Sequence, residues 1–148
     1  MSRFAGLPPV ARPIAAAADD AVRAAGAGDA AALDGAVAVL ARFDPAQVGL
    51  LLGTVVRLAL EERHPDGIGA DEVRGLLTEV GTAGDPRVFL ALVAGALGVH
   101  PADEAPPPRP DVQARHAALL VAHLLGGRPF APALERAARE IARTTLDD

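Results

Sequence analysis

Apolar residues recur at helical spacing in seven stretches of this chain, and glycine or proline interrupts the pattern between them. Aspartate followed by proline introduces two of the stretches, at residues 44–45 and 85–86. Aspartate can accept hydrogen bonds from the free amides of a first helical turn, and proline at the first helical position loses no bond. Because alternating strand patterns are nearly absent, the sequence predicts an all-α fold of about seven helices.

The 148 residues, 51% of them hydrophobic, fit a single domain over residues 1–148. We expect residues 1–12 to be an irregular N-terminal segment. The Pro-rich residues 101–110 cannot be helical throughout and are predicted to connect the fifth and sixth helices. Short loops elsewhere favour a helical bundle.

The third predicted helix, residues 45–63, carries an apolar face wider than that of an ordinary surface helix, which places it at the centre of the bundle. Another strongly apolar stretch covers residues 88–99. Both fall short of the roughly 20 residues that a membrane span needs, so we expect no membrane association and interpret both as buried helices. The apolar face of the third helix consists of Val48, Leu51, Leu52, Val55, Val56, Ala59 and Leu60.

The opposite face of the third helix is polar except for two leucines. Leu50 lies among polar residues that include Thr54, and Leu58 lies beside them. These leucines are either tolerated at the surface, packed against another helix, or in contact with another chain. The last interpretation gives the leading hypothesis, in which Leu50, Thr54 and Leu58 bind a protein partner or a second copy in a homodimer.

The composition excludes much chemistry. The chain has no cysteine and no lysine, and its only serine is Ser2. Thiolate and Schiff-base catalysis, cysteine-based zinc sites and the P-loop are therefore excluded, and a serine hydrolase has no credible nucleophile. Catalysis would have to rest on Asp, Glu, His or Arg, and no motif assembles them. We therefore favour a non-catalytic interaction protein without a cofactor.

Two histidines of the sixth predicted helix support the alternative function. His116 and His123 lie close to the same helix face, but a rise of about 10.5 Å separates them, too far for both to bind one metal unaided. A pocket between helices, lined by leucine and valine and polarised by His116 or His123, would bind a small molecule or perform acid–base catalysis. The competing interpretation is a half-exposed or hydrogen-bonded helix face.

Three further patterns are weak. Residues 62–72 resemble a calcium loop, but Val73 stands where the bidentate glutamate is required. Residues 26–31 match G-x-G-x-x-A without the preceding strand that a nucleotide site needs. The last helix carries Arg136, Arg139 and Arg143 among glutamates, and with a net charge of −5 and no Tyr or Trp the chain is not expected to bind nucleic acid.

The N-terminus lacks the continuous apolar region of a secretory signal, because Pro8, Pro9 and Pro13 interrupt it. We therefore expect a cytoplasmic protein. The prevalence of Ala, Gly, Pro and Arg is typical of a GC-rich bacterial genome.

Overall fold

Seven helices and no strand form the described part of the chain, which in the computed structural model is residue 4 and residues 7–99 and 108–147. The predicted all-α bundle is therefore confirmed. Most of the predicted Pro-rich connection lies outside the described residues, as does Ser2. The helices are α1 (Ala11–Ala27), α2 (Ala30–Leu40), α3 (Pro45–Arg63), α4 (Ala70–Val80), α5 (Pro86–Ala96), α6 (Pro110–Leu125) and α7 (Ala131–Asp147).

Aspartate side chains cap three of the helices, and two of these caps stand at the predicted Asp-Pro positions. The Asp44 carboxylate accepts a hydrogen bond of 3.0 Å from the amide of Ala46 at the start of α3. At α5, the Asp85 carboxylate accepts from the amide of Arg87 at 2.9 Å. Asp29 caps α2 in the same way. Each cap of this kind stabilises a helix by about 1 kcal/mol, so these residues fix where the helices begin.

Helix α3 lies in the interior of the bundle and packs against α5, α6 and α7. All seven residues of its predicted apolar face are buried, which confirms that prediction. Helix α6 is equally central, because it contacts α1 through α5. Its buried face includes small side chains, and these let neighbouring helices approach closely: Ala114, Ala117 and Ala118.

The prediction that residues 88–99 form a buried helix holds for only one side of that helix. Val88, Phe89 and Val93 are buried, but Leu90 remains 48% exposed and Val99 57% exposed. Helix α5 packs against α3, α4 and α6 with one side, and no described element covers its other side. Apolar residues all around this short helix therefore do not indicate burial all around it.

The N-terminal segment contributes to the core more than its composition indicates. Helix α1 begins at Ala11, and before it Phe4 and Leu7 are buried against the helices. The Arg12 guanidinium donates a hydrogen bond of 2.9 Å to the carbonyl oxygen of Leu7. This bond attaches the segment to the first turn of α1.

Gly75, in the middle of α4, provides a test of helix stability that is independent of packing. A Cβ atom placed on it meets no other atom within 4 Å. Because glycine inside a helix costs about 0.5–1 kcal/mol relative to alanine, we expect Gly75→Ala to raise the free energy of unfolding by that amount. Urea denaturation followed by circular dichroism measures the change. A decrease would contradict the open surroundings of Gly75.

Candidate functional site

An open cleft of about 580 Å³ lies between α2, α3, α5 and α6 in the described part of the chain. A volume of this size accommodates a small molecule or several apolar side chains. The floor of the cleft is formed by buried residues, which are Leu40, Val48, Leu52, Ala114 and Ala117. Its sides and rim are formed by Ala41, Phe43, Pro45, Ala46, Gly49, Gly53, Leu92, Pro110, Asp111 and Gln113.

Two glycines leave part of the α3 side of the cleft without side chains. Gly49 and Gly53 are four residues apart and share one side of the helix. A Cβ atom on either would meet nothing within 4 Å, so neither glycine is required by contacts inside the described bundle. Next to them Leu50 is 54% exposed. Helix α3 thus has a surface without side chains, at Gly49 and Gly53, beside the exposed Leu50.

The cleft offers little charge. Asp111 is the only ionisable residue in its lining. The carboxylate of Asp111 lies 3.4 Å from Nε of Arg109, and the Gln113 side-chain amide donates to the carbonyl oxygen of Pro108 at 2.6 Å. Both polar side chains therefore contact residues at the start of α6. The lining is suited to uncharged apolar groups.

The three residues of the predicted partner surface on α3 differ in their exposure to solvent. Leu50 is broadly exposed, while Thr54 is half-buried and its hydroxyl donates to the carbonyl oxygen of Leu50 at 2.7 Å. Leu58 is partly buried and packs against the hydrophobic core. Leu50 is thus the apolar member of the predicted trio that reaches solvent most freely, and it follows Gly49 of the cleft lining in sequence without being part of that lining.

His116 is buried and joins α6 to the start of α5. Its Nε2 accepts a hydrogen bond of 3.0 Å from the amide of Asp85, and its Nδ1 lies 2.8 Å from the carbonyl oxygen of Val112. A neutral ring with the proton on Nδ1 satisfies both contacts. The edge of the Phe89 ring packs against it, with centroids 5.0 Å apart. His116 therefore serves as a link between helices and lies outside the lining of the cleft.

Gly84 tests this link, because the His116 ring lies directly over it. A Cβ atom on Gly84 would lie 2.7 Å from Nε2 of His116 and 3.3 Å from the Phe89 ring. We expect Gly84→Ala to lower the free energy of unfolding by about 1–3 kcal/mol, the usual cost of overpacking a filled interior. Urea denaturation measures it, with Gly75→Ala as the matched control in open space. Equal stabilisation by both variants would contradict the placement of His116.

His123 points to a different partner from His116. Its Nε2 lies 2.8 Å from a carboxylate oxygen of Glu79 on α4, and the same oxygen lies 3.5 Å from the guanidinium of Arg63. The hydrogen bond from His123 lowers the pKa of Glu79, and the positive charge of Arg63 contributes to the shift. The two predicted histidines are thus not brought together. His123 belongs to a surface ion-pair cluster between α3, α4 and α6.

Ion pairs also connect α3 to α7. Glu62 accepts from Arg136 at 3.0 Å and from Arg128 at 2.5 Å. The hydrogen bonds from Arg136 and then Arg128 lower the pKa of Glu62. Arg57 similarly donates to Glu140 of α7 at 2.5 Å. Arg136 and Glu140 lie four residues apart on α7, and both bind residues of α3.

The lowered pKa values predict a stability loss in acid. Glu62 and Glu79 ionise more readily in the folded chain than at their ordinary pKa of 4.5, so their contribution is complete above that value. It is lost as the pH falls through the lower folded-state pKa values. We expect the free energy of unfolding to decrease in this acid range, and Glu62→Gln to make the decrease shallower. Urea denaturation across a pH series measures both slopes, and identical slopes would contradict the role of Glu62.

Sequence reasoning missed one buried charged group. Asp19 of α1 is 1% exposed, and its carboxylate lies 3.2 Å from the guanidinium of Arg23 one turn later. The i,i+4 spacing of Asp19 and Arg23 is visible in the sequence, but an aspartate in an alanine-rich helix carries no signal of its burial. The ion pair with Arg23 offsets part of the cost of burying the Asp19 charge.

Comparison with protein-family models, curated proteins and solved structures finds no match to this chain. Within residues 4, 7–99 and 108–147, no three His, Asp or Glu side chains come together as ligands for a metal ion. None of the helices in the described ranges combines the length and the apolar character that a membrane crossing requires. The cleft between α2, α3, α5 and α6 is the candidate site among the described residues.

Proposed function

We propose that this chain is a non-catalytic binding protein that acts through its helix faces, with the cleft between α2, α3, α5 and α6 as its recognition surface. The observation that carries the proposal is an apolar cleft of about 580 Å³ that is open to solvent. Such a surface favours the uptake of apolar side chains from a protein partner. A cytoplasmic setting stays a prediction from the sequence.

The chemistry of the lining supports binding over catalysis. The two polar side chains in the lining, Asp111 and Gln113, contact Arg109 and Pro108 at the start of α6. General acid–base catalysis requires a titratable group directed at the bound molecule and a partner that tunes it. The floor of this cleft consists of apolar residues and holds no such pair.

A second candidate is the binding of an apolar small molecule in the same cleft. Its volume lies within the range of small-molecule pockets, about 300–1,000 Å³. His116 and His123 are not in the lining, and among its described side chains the polar ones are those of Asp111 and Gln113. Native mass spectrometry of the purified chain separates the candidates: a discrete additional mass favours the small molecule, and its absence favours a protein partner.

Filling the cleft from within tests the proposed site. Gly53→Leu places a branched side chain in the open space of the cleft, whereas Gly75→Leu adds the same side chain to an open position on α4. We expect the uncharged apolar dye Nile red to bind the wild-type chain and the Gly75→Leu control equally. Gly53→Leu should bind the dye at least about tenfold more weakly, because the added side chain occupies its volume.

Fluorescence titration at low protein concentration measures the three affinities, and circular dichroism verifies that each variant is folded. Equal affinity in the wild type and in Gly53→Leu would show that the dye binds elsewhere and would overturn the cleft as the recognition surface. A wild-type chain that does not bind the dye would also overturn the cleft as the recognition surface.

A further inference from the structure

His116 is a buried titratable side chain whose two ring nitrogens both have partners. The residue is 8% exposed, and Gly84 and the edge of Phe89 lie against its ring. Nε2 accepts a hydrogen bond of 3.0 Å from the backbone amide of Asp85, the residue directly before α5. Nδ1 lies 2.8 Å from the carbonyl oxygen of Val112. The ring therefore connects α6 to the start of α5 through one acceptor and one donor.

These two contacts require a neutral imidazole. A backbone amide only donates and a carbonyl oxygen only accepts, so Nε2 must be free of a proton while Nδ1 carries one. In a protonated ring both nitrogens donate, and Nε2 would direct its proton at the Asp85 amide. A flip of the ring gives no relief, because either nitrogen of the charged ring would meet the amide as a donor. Protonation of His116 therefore removes the hydrogen bond to the start of α5.

A positive charge on His116 would also lack a counter-charge. The Asp85 carboxylate accepts from the amide of Arg87 in its own helix start. Charged side chains on the helices that contact α6 form pairs elsewhere, and these are Asp19 with Arg23, Asp34 with Arg115, Arg57 with Glu140, Arg63 with Glu79, Asp71 with Arg74, and Glu79 with His123. Among the described residues, no carboxylate forms an ion pair with the His116 ring. A buried charge without a partner is costly, so the folded contact disfavours the proton.

We propose that His116 makes the attachment of α5 to α6 sensitive to pH. A histidine in an unfolded segment takes up a proton near pH 6.5, whereas the folded contact excludes that proton. The contact is therefore at full strength above this pH and weakens as the pH falls below it. Each unit of pH favours release by up to about tenfold, because release binds one proton. Helix α5 supplies Leu92 to the cleft, so the pH-sensitive contact holds an element of the proposed recognition surface.

Urea denaturation at about pH 7.5 and about pH 5.5 tests the proposal, whatever the cleft binds. Both values lie above the ordinary glutamate pKa of 4.5, so Glu62 and Glu79 stay ionised throughout. In His116→Gln, the side-chain carbonyl can still accept from the Asp85 amide but does not titrate. Between the two pH values, we expect the unfolding equilibrium constant to rise about tenfold more in the wild type than in His116→Gln.

His123→Gln is the matched control, since it makes the same substitution on the same helix at a histidine that pairs with Glu79 at the surface. Its unfolding constant should rise with acid at least as much as that of the wild type. His64 and His100 are present in all three chains, so their contributions cancel in the comparison. An equal change in the wild type and His116→Gln would overturn the proposal, and so would a change that His123→Gln removes as completely as His116→Gln.

A second measurement decides the matter if His116→Gln does not fold. The nitrogen chemical shifts of the His116 ring in the folded wild type report its charge and the position of its proton by NMR. We expect a neutral ring with the proton on Nδ1 from about pH 7.5 down to about pH 5.5. A charged ring in the folded chain at the lower pH, or a neutral ring with the proton on Nε2, would overturn the proposal.

Discussion

The packing of α3 against α6 sets the positions of the other helices. Helix α3 buries seven apolar residues, and α6 meets the bundle with a face that includes three alanines, so the two helices approach closely at the centre. Five helices contact α6, and α5 and α7 pack directly against α3. A change in the packing of α3 against α6 would therefore affect every helix that contacts either of them.

The two ends of α3 differ in how they meet the rest of the chain. Toward its C-terminus, Arg57, Glu62 and Arg63 form ion pairs with α4, α7 and the loop after α6. Such exposed pairs contribute little individually, but together they specify how the neighbouring helices are oriented. Toward its N-terminus, Gly49 and Gly53 leave the helix bare beside the cleft. Helix α3 thus forms ion pairs with its neighbours toward its C-terminus, and it is uncovered at the two glycines beside the cleft.

Local patterns in the sequence were sufficient for the helices but not for the site. Asp44 and Asp85 mark helix starts because a cap acts within one turn, and the buried face of α3 follows from its helical period. The burial of His116 depends on Asp85 and Phe89, which lie some 30 positions earlier in the chain, and no local pattern reveals it. The cleft is formed by four helices, so only their arrangement in space could show it.

The attachment of α5 determines where one side of the cleft lies. His116 holds the first turn of α5 through Asp85 and Phe89, while Leu92 in the second half of the helix forms one side of the cleft. Beyond it, the end of α5 is exposed at Leu97 and Val99. The position of this side of the cleft thus depends on a hydrogen bond and a ring contact that both lie outside the cleft lining.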